Sequence, residues 1–114
     1  MRWTTVCGYG QLVPERGVAA LVDGAQVAVF RTYSGELFAI GNVDPVSGAG
    51  VMSRGIVGNR GDAPTVASPM HKQVYDLRTG ECLDLPGVRV PVYPVRHRDG
   101  VVEVAVQAEL GVRP

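Results

Sequence analysis

Two Asp-Gly pairs constrain this chain more than any other feature. Asp23-Gly24 divides the run Val18 to Val22 from the run Gln26 to Tyr33, and Asp99-Gly100 leads into Val101 to Val106. Asp-Gly supplies the positive backbone φ that a tight hairpin turn requires, so each pair commits its flanks to antiparallel strands. The rest of the sequence has the same punctuation: short β-branched runs bounded by Gly, Pro, Asp or Asn. Trp3 to Cys7 reads as a first strand, and Ser34-Gly35 turns the chain into Glu36 to Ile40. The runs 18–22, 26–33 and 36–40 form a meander. Within the middle run Val27 and Val29 fall on one face and Ala28 and Phe30 on the other, so that strand is expected to be covered on both sides. Val102, Val104 and Val106 share a face by period-two alternation, with Glu103 pointing away.

Further along, Thr65 to Ala67, Gln73 to Asp76 and Glu81 to Leu83 read as short strands, with Leu77-Arg78-Thr79-Gly80 as a turn. Pro91 and Pro94 restrict Val90 to Val95 to an edge or bulged strand. Gln107 to Pro114 is expected to fray or form one helical turn. Helix signals are weak throughout, and nine or ten short strands indicate an all-β sandwich or small barrel. At 114 residues, 46% of them apolar, residues 1–114 are the size of a single domain with a core of its own. The exception to the regular pattern is 42–64, a glycine-rich stretch read as one long loop, and long loops in compact domains are usually functional or disordered. Inside it, Gly55-Ile56-Val57-Gly58 either tucks its apolar pair onto the core or presents it as a docking knob.

Charge and composition narrow the function classes. Eleven basic residues balance eleven acidic ones, and Lys72 is the only lysine. With no basic block, nucleic acid is not an expected partner. No apolar run is long enough to span a bilayer and no basic amphipathic helix suggests a membrane surface. The start, Met1-Arg2-Trp3-Thr4-Thr5, lacks the apolar segment of a signal peptide, so a cytoplasmic location is the expectation. Cys7 and Cys82 admit a disulfide, two free thiols or part of a metal site; buried free thiols are the simplest state, because neither sits in a ligand-pair spacing.

Two short boxes carry what chemistry there is: Asn42-Val43-Asp44-Pro45 and Ser68-Pro69-Met70-His71. Ser68, His71 and Asp44 supply the residue types of a hydrolytic triad. However, Ser and His three apart on one loop tip are poorly placed for base catalysis, and no Gly-x-Ser-x-Gly elbow surrounds Ser68. Asp44 with His71 is half of a metal site and lacks a third ligand. The expectation is a hydrogen-bonded brace. In it the His71 imidazole bonds Asp44 or a loop carbonyl, while Ser68 and Asn42 bond nearby backbone as turn residues.

The second box runs on as Lys72-Gln73-Val74-Tyr75-Asp76-Leu77-Arg78-Thr79-Gly80. Together with Tyr93-Pro94-Val95 and Asp99-Gly100-Val101-Val102, it makes the chain resemble a Rieske [2Fe-2S] ferredoxin domain from Trp3 to Val106. That resemblance implies a β-sandwich or small barrel with a cluster-binding-like subdomain, whose tip is formed by 42–64 and 68–72. A Rieske centre takes two thiolates on one iron and two imidazoles on the other. At the four corresponding positions stand Asn42, Asp44, Ser68 and His71, so three of the four carry the wrong donor and no cluster is expected.

More narrowly, the chain resembles the small subunit of assimilatory NAD(P)H-dependent nitrite reductase. The residues that carry this are Trp3-Thr4-Thr5-Val6-Cys7, Gly41-Asn42-Val43-Asp44-Pro45, Ser53-Arg54-Gly55-Ile56-Val57-Gly58-Asn59-Arg60-Gly61 and Ser68-Pro69-Met70-His71-Lys72-Gln73. Ordinary Rieske ferredoxins are shorter in the region of Ser53 to Gly61. The resemblance implies a large-subunit partner carrying FAD, a [4Fe-4S] cluster and sirohaem, which reduces nitrite to ammonia in nitrate assimilation. It also implies a small chain that stabilises or regulates that partner, has no cofactor or catalytic residue, and is inactive alone. Expected partner contacts are Arg54, Ile56, Val57, Met70, His71 and Lys72. A Rieske-type electron-transfer ferredoxin of an oxygenase and a free-standing protein-binding module are the alternatives.

Overall fold

A computed structural model of the chain describes residues 2–106; the expected fraying or helical turn at 107–114 lies outside them. Ten strands are present among the described residues. They are β1 (Trp3–Gly8), β2 (Gly17–Val22), β3 (Ala25–Arg31), β4 (Leu37–Gly41), β5 (Ile56–Arg60), β6 (Ala63–Ala67), β7 (Val74–Asp76), β8 (Val92–Tyr93), β9 (Val95–Arg98) and β10 (Val101–Ala105). They form three antiparallel sheets, ordered β1-β10-β9, β2-β3-β4-β8 and β5-β6-β7, which are not closed into a barrel.

Both Asp-Gly pairs turn hairpins. Asp23 and Gly24 adopt φ of 47° and 83° between β2 and β3, and Asp99 and Gly100 adopt 53° and 82° between β9 and β10. The alternation in β3 is the key to the packing. Ala28 and Phe30 enter a core shared with β6 and β7 that contains Ile40, Met52, Val66, Tyr75, Leu77, Cys82 and Val90. Val27 and Val29 enter a second core with Leu12, Val22, Ala39, Val102, Val104 and Val106. The β2-β3-β4-β8 sheet is therefore the middle layer, which is why β3 reads as an unbroken apolar run.

Three segments differ from the sequence reading. The stretch 42–64 is not one irregular loop: a 3₁₀ turn at Met52–Arg54 leads into β5, which pairs with β6 from Ile56↔Ala67 to Arg60↔Ala63. Gly58, Asn59 and Arg60 are poor strand formers, and the pairing with β6 overrides their propensity. Glu81 to Leu83 is held only by isolated bridges, Tyr75↔Cys82 and Glu81↔Arg89. Val90 to Val95 has the expected edge placement but is not one strand: Pro94, which cannot donate a ladder bond, divides it into β8, at the edge beside β4, and β9, at the edge beside β10.

Candidate functional site

The two boxes meet in space. Asn42 follows β4 and Ser68 follows β6, and the segments after each fold back on themselves to form two loop tips. In the first tip, Asp44 N–H donates to Ala49 O at 2.8 Å and Gly48 N–H to Asp44 O at 2.7 Å, with Gly48 at φ 79°. The Asp44 side chain is fully buried. Its Oδ1 accepts N–H bonds from Val46 at 2.8 Å and Ser47 at 3.3 Å, the turn that an Asp-Pro start favours. Its Oδ2 accepts a short hydrogen bond from the Ser68 hydroxyl. In the second tip, Ser68 N–H donates to Gln73 O and Lys72 N–H to Ser68 O, both at 2.9 Å, while Met70 N–H donates to Ser68 Oγ at 3.2 Å. Lys72 takes up a left-handed φ of 62° to close the loop.

The brace between the tips is thus Ser68 to Asp44, and the expectation that His71 supplies it is corrected. His71 is exposed and makes no hydrogen bond among the described residues. The reason is steric: Ser68 already fills the buried place beside Asp44, and the tight turn at 68–72 swings the imidazole outward. Asn42 also works at longer range than a turn residue would. Its Oδ1 accepts the Ser53 N–H at 2.8 Å and its carbonyl accepts the Met52 N–H at 3.0 Å, fastening the 3₁₀ turn to the end of β4.

Electrostatics follow from this geometry. Burial alone would raise the Asp44 carboxyl, but the bonds from Ser68, Val46 and Ser47 and the nearby His71 hold it below the ordinary carboxylate value. Tyr75 is fully buried in the first core and, among the described residues, its hydroxyl has no hydrogen-bond partner. Burial, with the Asp44 charge and the Cys82 thiol adding to it, pushes the phenol up to about 12. Cys7 and Cys82 are free, Cys82 in the first core and Cys7 packed against the second, and burial pushes the Cys7 thiol up.

These residues do not fit a [2Fe-2S] cluster. The four positions offer one imidazole and no thiolate; the buried Asp44 carboxylate already accepts from three donors and the Asn42 oxygen is committed to Ser53. Among the described residues no group of three or more His, Cys, Asp and Glu side chains is arranged to hold a metal ion. A Ser-His-Asp relay is also ruled out by geometry, because Ser68 bonds Asp44 directly and His71 bonds neither.

The six expected partner contacts fall into two groups. Arg54, Ile56 and Val57 line a cleft of about 530 Å³ together with Glu15, Arg16, Gly17, Ser53 and Gly55. Met70, His71 and Lys72 are exposed on the second tip and do not line it. Ile56 is 76% exposed while Val57 packs against the first core, so one residue of the pair is a knob and the other a tuck. Glu15 and Arg16 went unnoticed in the sequence because they lie far from the boxes; only the fold brings them beside Arg54.

The three-sheet fold with two facing loop tips defines a Rieske-like domain, and residues 2–105 match the family described as Rieske-like [2Fe-2S] domain. The nitrite reductase (NADH) small subunit of Salmonella typhimurium is 40% identical over 104 residues, covering 90% of this chain and 96% of its own length. A solved Mycobacterium tuberculosis structure, provisionally designated an NADH-dependent nitrite reductase small subunit, superposes with a TM-score of 0.88 at 55% identity, covering 90% of this chain and 93% of its own. The large subunit of nitrite reductase [NAD(P)H] from Klebsiella oxytoca contains a segment 34% identical over 105 residues, which spans 92% of this chain and 11% of that protein. The chain belongs to the nitrite reductase small-subunit family, within the Rieske-like domains.

Proposed function

We propose that this chain is an accessory subunit of a cytoplasmic NADH-dependent nitrite reductase, bound to the large subunit and carrying no redox centre of its own. The observation that carries the proposal is the engaged Asp44 carboxylate. It is a buried anion bonded to Ser68, Val46 and Ser47 at the point where a cluster-bearing relative would need a free ligand. The Ser68–Asp44 bond ties the two tips together mechanically, the task an iron pair performs in an electron carrier. The Klebsiella large subunit favours the same reading of partnership, since a segment resembling 92% of this chain lies within that single polypeptide.

On this reading the large subunit supplies FAD, a [4Fe-4S] cluster and sirohaem and reduces nitrite to ammonia in nitrate assimilation. The small chain stabilises or regulates it by docking through the tips, with Met70, His71 and Lys72 on one loop and Arg54 and Ile56 on the neighbouring strand and turn. The test is iron and acid-labile sulfide analysis of the purified chain, followed by co-purification with the large subunit. The expected result is a colourless protein that forms a stoichiometric complex. A red-brown chain with stoichiometric sulfide would revive the electron-transfer ferredoxin, and a colourless chain that ignores the large subunit would leave a free-standing binding module.

A further inference from the structure

The cleft beside the tips has a construction of its own. It lies between the start of β2 and the start of β5, and both are edge strands: among the described residues β2 pairs only with β3, and β5 only with β6. Each therefore leaves one row of backbone N–H and C=O groups without a strand partner. The floor is closed by two glycines at which no side chain fits. A Cβ on Gly17 would collide with the Ser53 carbonyl and the Phe30 ring, and one on Gly55 with the Ala67 carbonyl and the Val66 side chain. The walls carry Arg16 and Arg54, both exposed, and among the described residues neither guanidinium makes a salt bridge or a side-chain hydrogen bond. The single acid in the lining, Glu15, is turned to the Tyr33 N–H, which its Oε2 accepts at 2.9 Å. Ile56 stands at the rim as an apolar post.

We propose that this cleft receives an extended, carboxylate-bearing segment of the large subunit, with its acidic side chains on Arg16 and Arg54 and an apolar side chain against Ile56. The inference rests on the accessory-subunit reading and names the surface and the partner chemistry for it. Two unpaired guanidiniums facing one groove favour a carboxylate, which each can bind in bidentate fashion. The free edges of β2 and β5 favour an extended backbone, the mode in which a strand adds to a sheet edge.

The test measures association of the intact large subunit with the wild-type chain, the double variant Arg16→Glu/Arg54→Glu, and the control Arg98→Glu on the remote β9–β10 hairpin. Because all three arginines are exposed, the variants should fold, and unchanged thermal melting verifies this. The double variant is expected to bind about 30-fold or more weakly while the control stays within about threefold, and wild-type binding should weaken as salt rises. Equal affinity of the double variant and the control would overturn the cleft assignment while leaving the accessory-subunit reading intact. A wild-type chain that does not associate at all would overturn that reading and the cleft with it. A self-dimer of the isolated chain that Arg16→Glu/Arg54→Glu abolishes would assign the cleft to a second copy instead.

Discussion

Asp44→Ala is the perturbation that most directly tests the brace. The substitution leaves the Ser68 hydroxyl, which is buried, and the Val46 and Ser47 N–H groups, which lie on an exposed turn, without their acceptor. Hydrogen bonds to a charged group contribute about 1.5–3 kcal/mol each; the long Ser47 contact contributes least, and relief from burying an anion offsets part of the total, so a net loss of about 3 kcal/mol is expected. For a domain of this size that lowers Tm by roughly 12 °C. Asp44→Asn should be far milder, about 1 kcal/mol, because its oxygen still accepts from the turn and Ser68 can rotate its hydroxyl to accept from the new amide. Circular dichroism melts at neutral pH measure both. The wild type carries the same information in its acid limb. The folded Asp44 carboxyl lies below its unfolded value, so its contribution is complete above the ordinary carboxylate range and disappears as pH falls through the folded value. Asp44→Ala should lack that component. A melt of Asp44→Ala within about 2 °C of wild type, or Asp44→Asn as damaging as Asp44→Ala, would refute the brace.

Tyr75→Phe should be neutral or slightly stabilising, because it removes a buried hydroxyl that bonds nothing. In wild type the same phenol should ionise late, near 12, so its contribution is complete below the ordinary tyrosine value and lost as pH rises through the folded one; ultraviolet phenolate titration reads both effects. His71→Ala should leave Tm within about 2 °C of wild type, since the imidazole is exposed and unbonded, while weakening association with the large subunit measured by pull-down. Val104→Asp should cost several kcal/mol, on the order of 4, and abolish the cooperative urea transition at ordinary temperature, because it places an unpaired carboxylate in the second core.

The sequence by itself determined the strands whose pattern is local. Asp23-Gly24 and Asp99-Gly100 fix hairpins because few other dipeptides tolerate their backbone, and the alternation of Val27, Ala28, Val29 and Phe30 reports a strand covered twice, as the two cores show. It also determined that no cysteine stands at the four ligand positions, Asn42, Asp44, Ser68 and His71, a matter of residue identity alone. Only the tertiary structure decided how the tips are joined. Ser68 and Asp44 are 24 positions apart, and which of Ser68 and His71 reaches the carboxylate depends on the direction the second loop turns at Lys72. Likewise β5 exists because β6 pairs with it, and Arg16 meets Arg54 because β2 and β5 are edges of different sheets. Those outcomes belong to pairings across the chain, whose free energy no local window of residues contains.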